Sequence, residues 1–124
     1  MYLTRAEEQL MKYLWKLEKS FFKEIKEQYP DPKPATTTIN TLLKRLIEKN
    51  AVNYKLYGNS REYYPLISKN KYFSKHVNGL IKNYFNNSIE QFASFFTKEV
   101  DISDEDLKKL KDIVDRQVNK KAND

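Results

Sequence analysis

ATTTINTLLKRLIEKNAVNYKLYGNSREYY, residues 35 to 64, carries two hydrophobic periods in succession. In its first half Ile39, Leu42, Leu43, Leu46 and Ile47 fall at spacings that only a 3.6-residue repeat gathers on one side, which predicts a helix. In its second half Val52, Tyr54 and Leu56 alternate with Asn53, Lys55 and Tyr57. Gly58-Asn59-Ser60 then interrupts, and Arg61 to Tyr64 leads into Pro65. Alternation on both sides of a glycine-bearing turn predicts a β-hairpin. Two strands alone are marginal in water, so the hairpin must lean on the helices through Val52, Tyr54 and one of Tyr63 or Tyr64.

With the apolar stripe buried, the helix turns Thr37, Thr41, Lys44 and Glu48 outward, flanked by Thr38, Asn40 and Arg45. Short hydrogen-bonding groups joined by two cations suit base edges and phosphates. Thr36, Thr37 and Thr38 are candidate N-caps, and an uncapped first turn offers backbone N–H groups and a positive dipole end to a phosphate. Pro32 and Pro34 stop the preceding helix and stiffen the turn. From Pro32 to Arg61 there are six cations (Lys33, Lys44, Arg45, Lys49, Lys55, Arg61) and one acid, Glu48, so most of the formal +6 lies in this stretch. A nucleic-acid duplex is a dense line of negative charge, and such a footprint gives it salt-dependent affinity. Lys55, Asn59 and Arg61, near the hairpin tip, are candidate contacts to its backbone. The competing reading is an ordinary amphipathic helix with a hydrated back and a hairpin that merely covers the core.

Toward the N-terminus, a helix is predicted from about Arg5 to Lys19, with Thr4 as N-cap and Glu7 completing a capping box. It should bury Ala6, Leu10, Leu14 and Leu17, with Met11 and Trp15 on the flanks. A second helix, about Phe21 to Gln28 and capped by Ser20, adds Phe21, Phe22, Ile25 and Tyr29 to the same core. Helix, helix, proline-marked turn, helix and hairpin is the order of a winged helix-turn-helix. The predicted fold is therefore mainly α with a small β wing. Residues 1–67 form a winged-helix DNA-binding domain, 68–120 a three-helix dimerisation region, and 121–124 a frayed tail.

The three later helices are amphipathic. The first, about Lys69 to Phe85, places Phe73, Val77, Leu80 and Tyr84 on one ridge, with Tyr72, His76, Ile81 and Phe85 beside it. The next, Ile89 to about Lys98, is capped by Asn87 or Ser88 and carries Phe92, Ala93, Phe95 and Phe96. The last starts at Ser103 with Asp106 as its N3 acid, and bears Leu107, Leu110, Val114 and Val118. This is more apolar surface than one thin layer hides, and a second copy is the economical cover. Phe73, Val77, Leu80, Ile81, Tyr84, Phe92, Phe96, Leu107, Leu110 and Val114 are the candidate homodimer residues. A monomer whose later helices fold back over the first is the alternative.

Composition narrows the chemistry. The 124 residues include no cysteine, one histidine and two glycines, Gly58 and Gly79. No disulfide or thiolate metal site can form. Little remains for acid–base or nucleophilic catalysis, and neither a paired-carboxylate motif nor a glycine loop stands in the sequence, so an enzyme is disfavoured. His76 is expected as a packed core residue rather than a metal ligand, since no second ligand type stands a helical turn away. No cofactor is expected. No apolar run approaches the roughly 20 residues that span a bilayer, and MYLTRAEEQL carries no signal-peptide core, so the expectation is a cytoplasmic protein without membrane insertion.

LTRAEEQLMKYLW (3–15), TTINTLLKRLIEKNAV (37–52), REYYPLIS (61–68) and DISDEDLKKLKDIV (101–114), in this order, resemble the penicillinase-repressor family (BlaI/MecI), from Leu3 to about Gln117. The resemblance implies a homodimeric repressor whose winged helix reads a palindromic operator in double-stranded DNA and whose three C-terminal helices interlock with the partner's. It places Thr37, Thr38, Asn40, Thr41, Lys44 and Arg45 on the recognition helix and Tyr57 to Arg61 on the wing. It also implies, for the β-lactam-responsive members, a membrane sensor protease that cuts an Asn–Phe bond. The equivalent here is Phe95–Phe96 within QFASFFTKEVDIS, with Phe95 standing where the family has Asn. Copper-responsive relatives carry paired cysteines near the C-terminus, and this chain has none. Two other functions stay open on sequence: a winged-helix protein-interaction module without DNA binding, and a one-component sensor with a ligand pocket among Tyr84, Phe92, Phe95 and Phe96.

Overall fold

The computed structural model describes residues 1–123 and divides into two compact units, Met1–Lys75 and His76–Asp124. The elements run α1 (Arg5–Leu17), β1 (Ser20–Phe21), α2 (Phe22–Gln28), α3 (Thr36–Glu48), β2 (Val52–Tyr57), β3 (Ser60–Pro65), α4 (Lys69–Tyr84), α5 (Ile89–Glu99) and α6 (Asp104–Ala122). The architecture is mainly α with a small antiparallel wing, as the periodicities predict.

In the first unit the core is Leu3 ahead of α1, Leu10, Met11 and Leu14 of α1, Ile25 of α2 with Tyr29 after it, Ile39, Leu42, Leu43 and Leu46 of α3, Ala51 just before the hairpin, Val52 and Tyr63 within it, and Tyr72. The predicted stripe of α1 is rotated: Ala6 is exposed, Leu17 half-buried and Met11 fully buried, while Glu7 takes a core position. An acid can do so because it is paired. One carboxylate oxygen of Glu7 accepts from Lys49 Nζ at 2.7 Å and from the Thr4 N–H at 2.8 Å, and the Thr4 hydroxyl accepts from the Glu7 N–H at 3.2 Å. The capping box of α1 thus reaches inward and ties its start to the C-terminal cap of α3. The other carboxylate oxygen of Glu7 is buried with no hydrogen-bond partner among the described residues.

α1 ends on Glu18, whose φ of 66° and ψ of −56°, with the Lys19 N–H donating to Leu17 O at 2.7 Å, make a γ-turn. That geometry is strained for any side chain bearing a Cβ. It turns Ser20 and Phe21 into a third strand, pairing Ser20 with Tyr63 and Phe21 with Glu62 in a sheet ordered β1-β3-β2. Ser20 is consequently buried in a strand and is not the cap of α2. Phe21 holds that position, its N–H donating to the Glu24 carboxylate at 3.0 Å.

β2 and β3 pair from Val52↔Pro65 to Tyr57↔Ser60 around the two-residue loop Gly58–Asn59. Gly58 has φ +61°, and the first loop residue is where a type II′ turn needs glycine. Of the two candidate tyrosines, Tyr63 is buried and Tyr64 half-buried. Early α4 closes the unit: the buried Tyr72 donates its hydroxyl to Glu8, Trp15 donates to Ile67 O at 2.8 Å, and the Trp15 ring meets Phe73 at 5.9 Å.

The second unit has a different character. Phe85 meets Phe92 at 5.7 Å and Phe95 at 5.1 Å, and Phe92 meets Phe96 at 5.9 Å. Ser88 caps α5 and Ser103 caps α6, each accepting from a backbone N–H three residues on. Among its described residues none is buried. His76, expected in the core, is exposed in the single chain. The tail expected to fray from residue 121 is helical through Ala122, with Asn123 as its cap, and Asp124 lies outside the described residues.

Burial alone raises the Glu7 carboxyl, but the hydrogen bonds from Lys49 and Thr4 outweigh it and hold the group below its ordinary value of 4.5. A depressed carboxylate contributes stability above its unfolded pKa, and that contribution is lost as pH falls through the folded one. Lys49→Ala leaves a buried charge without its partner and should cost about 3 kcal/mol at neutral pH. The deficit should narrow as pH falls and Glu7 protonates. Thermal melts of both proteins at neutral and acid pH check this, and a pH-independent gap contradicts it.

Candidate nucleic-acid interface

Burial of Ile39, Leu42, Leu43 and Leu46 fixes the rotation of α3 about its axis, so Thr36, Thr37, Thr38, Asn40, Thr41, Lys44 and Arg45 are all exposed. All seven residues chosen from the sequence therefore share one accessible helix surface. The predicted threonine cap is replaced: Ala35 is the N-cap, no side chain among the described residues caps the helix, and the three threonines form its first turn. Thr36 is therefore the first residue inside the helix, and its hydroxyl accepts from Lys26 of α2 at 3.1 Å across the turn. The Thr41 hydroxyl donates to Thr37 O at 2.9 Å, which fixes its rotamer and leaves its methyl and lone pairs at the surface. An uncapped N-terminus with a positive dipole end is left facing outward.

Two of the six cations in this stretch are turned elsewhere. Lys49 is bound to Glu7 and to Tyr2 O at 3.0 Å, and Lys33 donates to Tyr29 O at 2.6 Å and lies 3.8 Å from Asp31. The basic surface is thus Lys44 and Arg45 on the helix, and Lys55 and Arg61 on the wing, all exposed. Asn59 is exposed at the wing tip. Sequence alone could not separate the two groups, because a cation's partner is set by tertiary distance.

Between α3 and the wing lies a cleft of about 680 Å³ lined by Asn40, Lys44, Glu48, Tyr54, Arg61 and Tyr63, with Leu43 and Ile47 at its base. Arg61 is held at its wall, its guanidinium carbon 4.3 Å from the centre of the Tyr54 ring. Lys55 sits 5.5 Å from the Tyr57 ring. Tyr54 was not selected as a site residue from sequence, and Tyr57 entered only as a wing position implied by the family resemblance; aromatic–cation neighbours on a hairpin are a weak signal until register is known. Arrangement and charge suit a phosphodiester backbone in the cleft and base edges along α3. No group of three or more acidic, histidine or cysteine side chains suited to a metal exists among the described residues.

The candidate partner-contact residues are distributed over both units. Phe73 lies with Trp15 in the first. In the second, Val77, Leu80, Tyr84 and Val114 are 43, 40, 77 and 51% exposed, while Ile81, Phe92, Phe96, Leu107 and Leu110 are half-buried. The Phe95–Phe96 bond lies inside α5. Among the described residues no helix is long and apolar enough to cross a membrane.

A family model described as penicillinase repressor matches residues 3–116. The penicillinase repressor of Bacillus licheniformis is 28% identical over 120 residues, spanning 96% of this chain and 94% of that protein. The solution structure of the DNA binding domain of the repressor BlaI superposes with a TM-score of 0.51 at 31% identity, covering 56% of this chain and 87% of that one. A crystal structure of a mutant MarR from E. coli covers 94% of this chain and 78% of its own, with a TM-score of 0.50 at 10% identity, a likeness of fold alone.

If the basic surface is local, Lys44→Ala and Arg45→Ala should each lower the salt at which the protein leaves a heparin column. Lys108→Ala and Lys109→Ala, on α6, should leave elution nearly unchanged. Equal shifts for the two pairs would contradict a local footprint.

Proposed function

The chain belongs to the penicillinase repressor family, and from that membership together with the exposed face of α3 we propose that it is a transcriptional repressor that binds a palindromic operator in double-stranded DNA as a homodimer. The observation that carries the reading is the threonine-, asparagine- and cation-bearing surface of α3 beside a wing bearing Lys55 and Arg61. Lys44, Arg45, Lys55 and Arg61 contact phosphates and set the register of the protein on the duplex. Thr37, Thr38, Asn40 and Thr41 read base edges and thymine methyls, with the open N-terminus of α3, at Thr36, facing a phosphate.

The dimer is supported by the apolar surface left uncovered on α4, α5 and α6 in a single chain. A two-fold pair sets its recognition helices about one helical turn (~34–36 Å) apart, which matches an inverted repeat. Occupying such a site in the cytoplasm excludes other proteins from the promoter. Relief by a sensor protease, part of the same reading, acts at Phe95–Phe96. That bond must first unwind from α5, and Phe95 calls for a protease that accepts an aromatic residue there.

Two measurements test the proposal. Sedimentation equilibrium should give twice the chain mass, and a gel shift on the DNA upstream of the protein's own gene should be competed weakly by random duplex. Asn40→Ala and Thr41→Ala should change sequence preference, at ~1–3 kcal/mol for a good base contact, while Arg45→Ala weakens all sequences alike. A monomer indifferent to every duplex contradicts the proposal.

A further inference from the structure

The register of the wing puts Tyr54, Leu56, Arg61 and Tyr63 on one face, because Tyr54 pairs with Tyr63 and Leu56 with Arg61. That face is the wall of the cleft opposite Asn40 and Lys44 of α3. Tyr63 is buried and its ring centre is 5.8 Å from that of Tyr54, whose ring in turn carries the guanidinium of Arg61. A chain of contacts, the two tyrosine rings tilted by 59° and the guanidinium over the outer one, therefore runs from the hydrophobic core to an exposed cation. A cation held over a ring face is attracted by the ring quadrupole and uses no N–H hydrogen bond to the ring, so the contact restricts the side chain while its donors remain able to grip a phosphate.

Resting on the DNA-binding reading above, we propose that Tyr54 is a positioning residue: it fixes Arg61 in the cleft between α3 and the wing, where Arg61 and Lys44 clamp one phosphodiester strand of the bound duplex from its two sides. The strand that borders the groove entered by α3 passes between helix and wing, and the cleft is where it passes. Arg61 is thus a preset wall of the cleft and not a loose cation at the wing tip. Glu48, the acid at the far end of α3 in the same cleft, repels phosphate and marks where the strand leaves it. Lys55 rests by the Tyr57 ring, on the opposite face of the hairpin, and has no part in this clamp.

The test is a double-mutant cycle on affinity for a mixed-sequence duplex of about three helical turns, read at several salt concentrations. Tyr54→Leu keeps apolar bulk and removes the ring, and should weaken binding roughly two- to fivefold. Tyr54→Phe should bind as the parent does. Arg61→Ala and Lys44→Ala should each weaken binding and lower the salt slope by about one. In the Arg61→Ala background, Tyr54→Leu should change nothing further. Arg61→Lys, which keeps the charge and loses the forked guanidinium, should lose affinity while keeping the slope, so the proposal is tested even if Tyr54→Leu folds poorly. Parent-like binding by Tyr54→Leu or Arg61→Lys, or an undiminished Tyr54→Leu loss without Arg61, overturns the pairing while DNA binding itself stands. A parent protein that ignores duplex DNA overturns both.

Discussion

A helix can hide only one side of itself, and α3 hides the side that bears Ile39, Leu42, Leu43 and Leu46. Once that stripe is packed against α1 and the sheet, nothing is left to choose about Thr37, Asn40, Thr41, Lys44 and Arg45: a 3.6-residue repeat sends them outward together. The hairpin follows with three residues between, Lys49 to Ala51, and Asn50 takes the left-handed turn at φ +60° that points β2 back along the helix. Helix face and wing thus come from one packing decision. The surface assigned to DNA is what the core leaves over.

That packing is fixed at its ends by polar contacts. Glu7 and Lys49 join the start of α1 to the end of α3, and Lys26 reaches from α2 to the first turn of α3. Both contacts resist rotation of α3, which would redirect every outward residue. Burying Glu7 costs solvation, and the Lys49 and Thr4 hydrogen bonds offset it, with the other oxygen unsatisfied among the described residues. Such a pair is weak evidence for stability; its consequence is geometric, since any slip of α1 against α3 leaves a carboxylate alone in the core.

Much of this was legible in the sequence, because long periodic segments carry their own signal. The stripe of α3, the alternation of the hairpin, the capping box at Thr4 and the serine cap at Ser103 each rest on neighbours within a few residues. The failures came where distant residues decide. Ser20–Phe21 is too short to show a period and becomes a strand only because β3 offers an edge. Glu7 displaced Ala6 from the core because Lys49, 42 residues away, supplies its counter-charge. Lys33 and Lys49 belonged to the basic footprint by composition and to intramolecular partners by geometry. Tyr54 read simply as core, and its role under Arg61 emerged only from strand register. His76 was assigned to an interior that a single chain does not form.

Hydroxyl-radical footprinting on the DNA upstream of the protein's own gene, at moderate salt, tests most directly whether the outward face of α3 meets a groove twice. The account predicts two protected patches on one face of the duplex, centred about one helical turn apart and related by an inverted repeat. A single patch, protection spread evenly along the duplex, or no protection at a salt where random DNA is released would contradict it.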